Sequence, residues 1–516
     1  AEDIFLKGIA ENNKFYLNYL SLAKLYNLKN NYDLAIEYYK KAINRDRSVT
    51  QVYPIIAQNY EIIDNIESSY YYWQKSKATN ERRNLAQSKI EEFQDKYPYL
   101  KEKEDKKKEI ERREIEWIPI KPVISQDELK KVRVGIVENV AKISFQSNNN
   151  FQIVIDNKSI KGKNNVEYRI ERKNNNYYIY KEDKLISSLT TDSHLTIKSS
   201  TENSLFLIYD VNYGDGYFWA SSEDRQYRGD FELYTANDNN FNLINIVNMA
   251  EYLYSVVPAE MPALWPAEAL KAQSIAARSY ALRHFNRHLD KGYNLCDSVH
   301  CAAYNGVKSE HPRTYEAVNK TAKEVAYYNS RIIDAVFSSN SGGYTESSKD
   351  VWGSRNNYLS GRSTMIDNNY HFPLDSYELN TWIKTSPPSY SKGNFASDNS
   401  YRWVKVIEED YFNTKYNFTK VKKIEILGRT KGGSVNSIKI IGLDKNTKKI
   451  EKKIINKDYI RSALSGLRSN RFIIDRIYNK EKTIEKIIIY GSGWGHNVGM
   501  DQTAAASMAK DNYNYK

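Results

Sequence analysis

The chain has few of the residues that mark several common protein classes. Only two cysteines, Cys296 and Cys301, occur among 516 residues, too few for a scaffold built on disulfides. No run of 18 or more apolar residues is present, so we expect no membrane span in this chain. Zinc-finger spacing, RNA-binding aromatic strand motifs and arginine-rich arms are absent from the sequence, which argues against a nucleic-acid partner. The HExxH motif of metallopeptidases is absent as well.

The bulk composition is that of a multidomain globular protein. Its length suggests roughly two to four domains, and a hydrophobic fraction of 41% allows sizeable cores. The net charge of +12 would suit an anionic partner, although a general enrichment in lysine explains it more simply. The sequence begins at Ala1 without an initiator methionine, which fits an exported, processed protein and fits a trimmed one equally.

The first hundred residues carry a repeat of 34 residues. The following small and aromatic residues recur at that offset: Ala23, Tyr26, Ala35, Tyr39 and Ala42 match Ala57, Tyr60, Ser69, Trp73 and Ser76. This pattern is typical of tetratricopeptide-repeat (TPR) helix pairs. Because about three units are usually needed for stability, helices over Ile4–Asn12 and Arg82–Lys96 should cap the array. We predict a TPR-like solenoid over residues 1–100 that binds a protein partner or acts as a spacer.

Two further boundaries follow from charge and proline. Dense mixed charge over Lys101–Glu116 and the two prolines of Trp117–Pro122 predict a charged helix or linker over residues 101–130. Residues 131–243 should form a β-rich domain that supports the core or flanks a glycan. Its expected strands are Val132–Val137, Phe151–Ile155, Val166–Ile170, Tyr177–Tyr180, Leu195–Ile197 and Leu205–Tyr209.

Residues 244–516 mix helices and strands, which makes the chain as a whole an α+β protein with an appended α-helical solenoid. Apolar residues at helical spacing predict a helix over Ala267–His288 that begins near Pro266. The strands expected after Glu324 are Arg331–Ser338, Arg402–Ile407, Val421–Leu427, Val435–Ile441 and Ile484–Ile489.

Glu260 is the first candidate for chemistry. It stands among apolar neighbours, with Pro258 and Pro262 on either side. A carboxylate there loses hydration without an obvious partner, so its pKa should rise. A carboxylic acid kept protonated near neutral pH can donate a proton to a leaving group, and a proline-bounded turn would hold it in place. The simpler alternative is that Glu260 only caps the following helix.

Three segments resemble the signature blocks of the SpoIID/LytB family, the sporulation protein D and amidase-enhancer group of bacterial envelope proteins. They are Val256–Leu282, Ser339–Gly353 and Gly491–Gln502, in the order found in the family. The resemblance covers roughly Lys131 to the C-terminus and implies a SpoIID-like catalytic core over residues 244–516. It also implies export to the cell envelope, on the periplasmic or cell-wall side, where the substrate is peptidoglycan.

The resemblance maps Glu260 onto the acidic residue of a lytic transglycosylase. In that reaction an acid protonates the oxygen between MurNAc and GlcNAc, and the muramic C6 hydroxyl closes on C1 to leave a 1,6-anhydro end. Because the substrate supplies the nucleophile, a second carboxylate is not required. The alternative is a non-catalytic wall-binding protein that stimulates a separate amidase.

The second and third blocks supply candidate sugar contacts. Glycines would let the backbone approach a sugar, aromatic rings could stack on a pyranose face, and polar side chains could bond hydroxyl or N-acetyl groups. The alternative is a glycine-shaped core turn. Asn497 and Asp501 stand where the family usually has glycine and serine. The candidates are Gly342, Gly343, Tyr344, Glu346, Trp352, Trp494, His496 and Gln502.

A cysteine–histidine cluster lies between the first two blocks. Cys296, His300 and Cys301 fall within six residues, and His284 or His288 could add a fourth ligand, of which we take His288. The ligand types suit zinc in a structural role, and the resemblance also implies a zinc site. A disulfide or two free thiols remain the alternatives.

Overall fold

The chain divides into two units in a computed structural model that describes residues 1–79, 81–113, 115–121, 131–190, 192–214, 221–367, 369–457 and 459–516. The first unit comprises Ala1–Pro122, Gly135–Ile246 and Gly306–Lys308. The second comprises Val123–Val134, Val247–Asn305 and Ser309–Lys516. Each unit contains both helices and strands. This mixture of helix and sheet agrees with the predicted α+β class. No helix in the described ranges is long and apolar enough to cross a bilayer.

Helices fill the N-terminal part of the first unit. They are α1 (Glu2–Glu11), α2 (Tyr16–Leu28), α3 (Tyr32–Arg45), α4 (Tyr53–Ile62), α5 (Ile66–Ala78), α6 (Arg83–Lys96) and α7 (Tyr99–Arg113). The predicted charged helix is present as α7, whereas the remainder of the 101–130 prediction falls partly on residues 114 and 122–130, outside the described residues.

The 34-residue repeat is visible in how the helices begin and pack. Asn31 caps α3 and Asn65 caps α5, each through a side-chain oxygen that accepts a backbone N–H three residues on. The small residues of the repeat are fully buried, so neighbouring helices can approach closely. These buried positions are Ala23, Ala35, Ala42, Ala57, Ser69 and Ser76.

Trp73 fills the core of the second helix pair and is fully buried. We predict that Trp73→Ala lowers the opening free energy of α4–α6 by about 3–5 kcal/mol, because it removes a large buried ring and leaves a cavity. Tyr71, half exposed in the same helix, is the matched control, and Tyr71→Ala should change little. Hydrogen exchange of these amides measures both, and equal effects would contradict the packing.

The rest of the first unit is a two-sheet β region. One sheet has the strand order β1-β12-β11-β8-β3-β4, and the other has the order β10-β9-β2-β5-β6-β7. The six predicted strands are all present, with ends shifted by a few residues. The strands are β1 (Val132–Val140), β2 (Lys142–Ser147), β3 (Phe151–Ile155), β4 (Lys158–Gly162), β5 (Tyr168–Lys173), β6 (Asn176–Lys181), β7 (Lys184–Thr190), β8 (Leu195–Ser199), β9 (Phe206–Tyr213), β10 (Ser221–Tyr227), β11 (Asp230–Thr235) and β12 (Phe241–Val247).

The second unit contains helices, short strands and two three-stranded sheets with the strand orders β17-β22-β21 and β18-β19-β20. Its helices are α8 (Met249–Glu260), α9 (Ala267–Arg283), α10 (Pro312–Lys320), α11 (Ser348–Trp352), α12 (Ser376–Thr385), α13 (Asp398–Tyr401), α14 (Glu409–Tyr416), α15 (Tyr459–Ala463) and α16 (Gln502–Lys510). Its strands are β13 (Leu295–Cys296), β14 (Tyr327–Tyr328), β15 (Arg331–Ile332), β16 (Phe337–Ser338), β17 (Arg402–Glu408), β18 (Phe418–Arg429), β19 (Val435–Asp444), β20 (Ile450–Asn456), β21 (Phe472–Tyr478), β22 (Ile484–Ser492) and β23 (Met500–Asp501).

Two element predictions in this unit are wrong in their extent. The strand expected over Arg331–Ser338 is interrupted, because the Val336 N–H folds back onto the Asp334 carbonyl while the Asp334 side chain pairs with His284. The helix expected to reach His288 ends at Arg283. The remaining predicted strands, matched by β17, β18, β19 and β22, are confirmed.

Candidate functional site

Glu260 is the last residue of α8, and not part of a separate turn as the prolines suggested. The helix continues through Pro258, since a proline this close to the end removes only one backbone hydrogen bond. Pro262 then follows the C-cap residue Met261 and prevents further helix. At the other end of α8, Asn248 and Glu251 form a capping box. The alternative that Glu260 caps α9 is wrong, because Pro266 occupies that position.

The Glu260 carboxyl group is half-buried and has a single hydrogen-bond donor among the described residues. The Ala303 backbone N–H donates to Glu260 Oε1 at 2.7 Å. Burial raises the pKa of Glu260, and the Ala303 bond opposes that rise by stabilising the carboxylate. The position at a helix C-terminus, where the dipole is negative, also disfavours the charged form. The arrangement is that of a desolvated carboxylic acid held through one oxygen by a backbone amide.

The first and third blocks meet at the main chain of Glu260. Gln502 is almost fully buried, and its side-chain amide donates to the Glu260 carbonyl at 3.1 Å and to Gln273 Oε1 at 3.2 Å. Beneath this contact Met261 packs with residues of α9, α10 and α16. Gln502 therefore fixes the end of α8 through its side-chain amide nitrogen.

The second and third blocks are hydrogen-bonded to each other. Asn340 and Trp494 exchange two backbone bonds of 3.2 and 2.8 Å, and the Glu346 N–H donates to the Asn497 carbonyl at 2.7 Å. Asn497 has a φ of 63°, a left-handed conformation that asparagine tolerates better than most residues. Its presence in place of the family's glycine therefore preserves the turn.

Asp501, the second departure from the family pattern, has a structural role. It is the N-cap of α16 and accepts the Ala504 N–H at 2.9 Å. Its other oxygen accepts the Ser341 N–H and the Ser391 hydroxyl at 2.7 and 2.6 Å. The carboxyl thus ties the second block to the start of α16.

Glu346 is buried and ion-paired, which contradicts the prediction of a sugar contact. Only 1% of its side chain is exposed, and its Oε1 accepts from Arg471 at 2.7 Å and from the Ser434 hydroxyl at 2.6 Å. Arg471 is itself fully buried. Such a pair leaves no surface for a glycan, so Glu346 has a structural role.

The neighbouring glycines and tyrosine of the second block also pack inwards. Gly342 and Gly343 are buried with φ values of 69° and 111°, which only glycine adopts without strain. Tyr344 stacks on Phe372 with ring centroids 4.0 Å apart. The alternative of a glycine-shaped core turn therefore describes this segment better than a sugar-binding loop.

The aromatic candidates of the third block are half-buried and engaged by protein groups. His496 contacts Trp352 edge to face with centroids 5.0 Å apart, and its Nδ1 accepts the Val498 N–H at 3.0 Å. Burial lowers the pKa of His496 to about 4, so its ring is neutral at physiological pH. The Arg468 guanidinium lies 4.4 Å from the Trp494 ring centroid and covers one of its faces. The structure brings Trp352 and His496 together but gives no direct support for a sugar contact.

The other carboxylates near the first block have their own partners. Glu251 belongs to the capping box of α8. Glu268 bonds Lys271 at 2.6 Å and accepts the Tyr515 N–H at 3.1 Å, and the Lys271 bond lowers its pKa. Burial raises the pKa of one further carboxyl, that of Asp501, which is bonded to Ser341 and Ser391 and so is engaged by the protein.

The four predicted metal ligands come together. The ligand atoms of His288, Cys296, His300 and Cys301 all lie within 4.8 Å of one another. Both cysteines are thiols, so the disulfide alternative is not what this structure contains. A hydrogen bond from the Cys301 thiol lowers the pKa of Cys296. These residues form a group that could hold a metal ion.

Three distances between the donor atoms are close to those of tetrahedral zinc. With Zn–S near 2.3 Å and Zn–N near 2.0 Å, a tetrahedron places sulfur and nitrogen about 3.6 Å apart. The Cys296 Sγ–His300 Nδ1 and Cys301 Sγ–His300 Nδ1 distances are 3.7 and 3.8 Å. The Cys301 Sγ–His288 Nε2 distance is 3.4 Å.

His284, the other candidate for the fourth ligand, is engaged elsewhere. Its Nε2 lies 2.7 Å from Asp334 Oδ1, and its Nδ1 lies 3.0 Å from Arg287 Nη2. Arg287 in turn donates to the His300 carbonyl at 3.0 Å. This chain of side chains supports the cysteine–histidine loop from behind, as outer partners of metal ligands commonly do.

Sequence reasoning missed the groups that hold Glu260. The Ala303 donor is a backbone amide and Gln273 is an ordinary helix residue, so neither leaves a signal in a motif. The one signal in the sequence is that Ala303 lies two residues after Cys301. This spacing places the cysteine–histidine cluster close to the group that Ala303 contacts.

Comparison with known proteins finds a family model and relatives that match this chain. The family model described as Stage II sporulation protein, SpoIID, matches residues 237–328, and a domain of unknown function matches residues 349–499. An uncharacterised protein of Brachyspira hyodysenteriae is 30% identical over 348 residues, which are 66% of this chain and 83% of that protein. The chain belongs to the SpoIID family.

Two relatives with functional names are more distant. The amidase enhancer of Bacillus subtilis is 29% identical over 284 residues, which cover 51% of this chain and 38% of that protein. Stage II sporulation protein D of Bacillus subtilis is 28% identical over 297 residues, which cover 54% of this chain and 72% of that protein. The chain thus spans well under half of the amidase enhancer.

We predict that Glu346→Ala destabilises the second unit by about 3–5 kcal/mol, because it leaves the buried Arg471 charge uncompensated. The control is Glu425→Ala, which breaks partly exposed pairs with Lys423 and Lys439 and should change stability little. Urea unfolding of the full chain measures both. Replacing Glu346 and Arg471 together with methionine should recover most of the loss, and a harmless Glu346→Ala would contradict the structural role.

Proposed function

We propose that this protein is a peptidoglycan lytic transglycosylase of the cell envelope, with Glu260 as its general acid and base. The observation that supports this most strongly is the half-buried Glu260 carboxyl, with a raised pKa and a single backbone donor on Oε1. Relatives named sporulation protein D and amidase enhancer are consistent with action on the cell wall.

The proposed reaction uses Glu260 twice. The protonated carboxyl group donates its proton to the glycosidic oxygen between MurNAc and GlcNAc as the C1–O bond breaks. The resulting carboxylate then takes the proton from the muramic C6 hydroxyl as that oxygen bonds to C1, which closes the 1,6-anhydro ring. Protons and bonds balance without water or a second carboxylate.

We propose that His288, Cys296, His300 and Cys301 bind zinc in a structural role. The fit of their distances to a tetrahedron supports the assignment. Two thiolates donate much negative charge to the ion and make it a weak Lewis acid. A structural role, in which the ion links the cysteine loop to His288, therefore fits better than a catalytic one. The protein's own residues then carry the chemistry.

We also propose that α1–α6 form a TPR-like array that binds a protein partner. The shared Asn31 and Asn65 caps and the buried small residues 34 positions apart support this reading. Half of the sugar contacts predicted in the second and third blocks are buried, and these blocks are proposed to shape the glycan groove rather than to line it with their side chains.

Purified protein incubated with cell-wall sacculi tests the main proposal. Wild type should release fragments with 1,6-anhydromuramic ends, and Glu260→Gln should lower the rate about 10²–10⁴-fold, because the amide cannot donate the proton. Mass spectrometry of the muropeptides is the measurement. Glu268→Gln, in the first turn of α9, is the matched control and should retain activity.

The same digest distinguishes the second candidate function. The relative named amidase enhancer favours a protein that binds the wall without cutting it and stimulates an amidase. In that case wild type alone would release nothing, and Glu260→Gln would bind sacculi as well as wild type. Ordinary reducing ends would indicate hydrolysis and would rule out the anhydro mechanism.

The raised pKa of Glu260 predicts the direction of the pH dependence. The acid step requires the protonated form, so kcat/KM should fall as pH rises through this pKa. The fall should occur at a higher pH than an ordinary glutamate would give. Protonation also favours the folded state, so stability should be lost as pH rises from the unfolded pKa of about 4.3 through the raised folded value.

Glu260→Gln provides the control for the stability effect, because it resembles the protonated acid at every pH. Its free energy of unfolding should vary less with pH than that of wild type across the same window. Identical pH profiles for the two proteins would mean that the Glu260 carboxyl is not desolvated.

A further inference from the structure

The loop that carries the two cysteines runs directly into the segment that holds α8. Cys301 is followed by Ala302, and the next three residues each contact the helix. The contacts are the Ala303 N–H to Glu260 Oε1 at 2.7 Å, the Tyr304 ring on the Tyr252 ring with centroids 5.6 Å apart, and the Asn305 N–H to Ser255 Oγ at 3.0 Å.

The loop is also closed on itself. The Cys301 N–H donates to the Ser298 carbonyl at 3.0 Å, and the Tyr304 N–H donates to the Asp297 carbonyl at 3.0 Å. These two bonds join the ligand-bearing part of the loop to the part that contacts α8. A displacement of either cysteine would therefore move residues 303–305 with it.

The position of the Glu260 donor depends on this loop because it is a backbone amide. A side-chain donor can follow its acceptor by changing rotamer, whereas the Ala303 N–H moves only when the chain moves. Ser255 and Tyr252 are almost fully buried, so the surface on which the loop rests is rigid. Whether the Ala303 N–H reaches Glu260 Oε1 therefore depends on the position of the loop.

We infer that the cysteine–histidine cluster is a clamp for the catalytic acid. Once loaded with zinc, the cluster fixes residues 296–305 and so keeps the Ala303 N–H against Glu260 Oε1. Ala303 is a positioning residue, which orients the carboxyl group towards the scissile oxygen. The inference rests on the proposed function, since it takes the cluster as a zinc site and Glu260 as the acid.

The clamp has a consequence that needs no substrate. If zinc favours the Ala303–Glu260 contact, the contact must favour zinc by the same factor. Glu260→Ala removes the acceptor and should weaken zinc binding about tenfold, in the range found for outer partners of metal ligands. Glu260→Gln keeps an oxygen that accepts the Ala303 N–H, so it should bind zinc nearly as tightly as wild type.

Competition between the full-length protein and a chromogenic chelator measures the zinc affinity of each variant. Glu268→Ala, which removes a carboxylate of α9 that bonds Lys271, is the control and should leave the affinity unchanged. A tenfold loss in Glu260→Ala alone supports the clamp. Equal affinities in wild type and Glu260→Ala would overturn it, as would a failure of wild type to bind zinc.

Hydrogen exchange of the wild type tests the same coupling without any substitution. Removal of zinc by a chelator should speed exchange of the amides of residues 303–305 at least about tenfold, while the amides of α16 stay protected. Unchanged exchange at Ala303 would overturn the clamp. If the wild type does not cleave the cell wall but both zinc effects, on affinity and on exchange, are observed, the proposed function of Glu260 is wrong. The coupling between zinc and the Ala303–Glu260 contact would then remain supported.

Discussion

A carboxyl group can act as an acid near neutral pH only if its charged form is made costly, and the second unit imposes that cost on Glu260. Burial at the end of α8 disfavours the carboxylate, while the single Ala303 amide keeps the group oriented without fully stabilising the charge. The position depends on the capping box of α8 at one end and on the Gln502 bond at the other. The rest of the site is arranged around these restraints.

The three family blocks have different roles in the second unit. The first carries the acid, whereas the second and third join each other through the Asn340–Trp494 and Glu346–Asn497 bonds and then reach Glu260 through Gln502. Their glycines and the buried Glu346–Arg471 pair shape a core. This explains why half of the motif residues that suggest sugar recognition are enclosed, and why Asn497 and Asp501 can replace the usual residues without loss of the turn.

Much of the fold could be predicted from patterns that are local in the sequence. The 34-residue repeat, the alternation over residues 131–243 and the helix after Pro266 depend on period and on turn residues, and the corresponding elements are present. The interruption of the strand predicted over Arg331–Ser338 could not be foreseen from the sequence. It is accompanied by the Asp334–His284 pair, which joins residues 50 apart in sequence. The end of α8 likewise differs from the prediction, because the prolines around Glu260 suggested a turn while the helix continues through Pro258.

The sequence by itself determined which side chains could do chemistry: an isolated glutamate among apolar residues and four zinc-type ligands, three of them within six positions. Those properties are intrinsic to residue type and short spacing. Only the tertiary structure decided that His288 rather than His284 joins the cluster, that Glu346 is enclosed by Arg471, and that a backbone amide beside Cys301 holds the acid. Such outcomes depend on which distant groups meet after folding, and a backbone N–H has the same chemistry at every residue except proline.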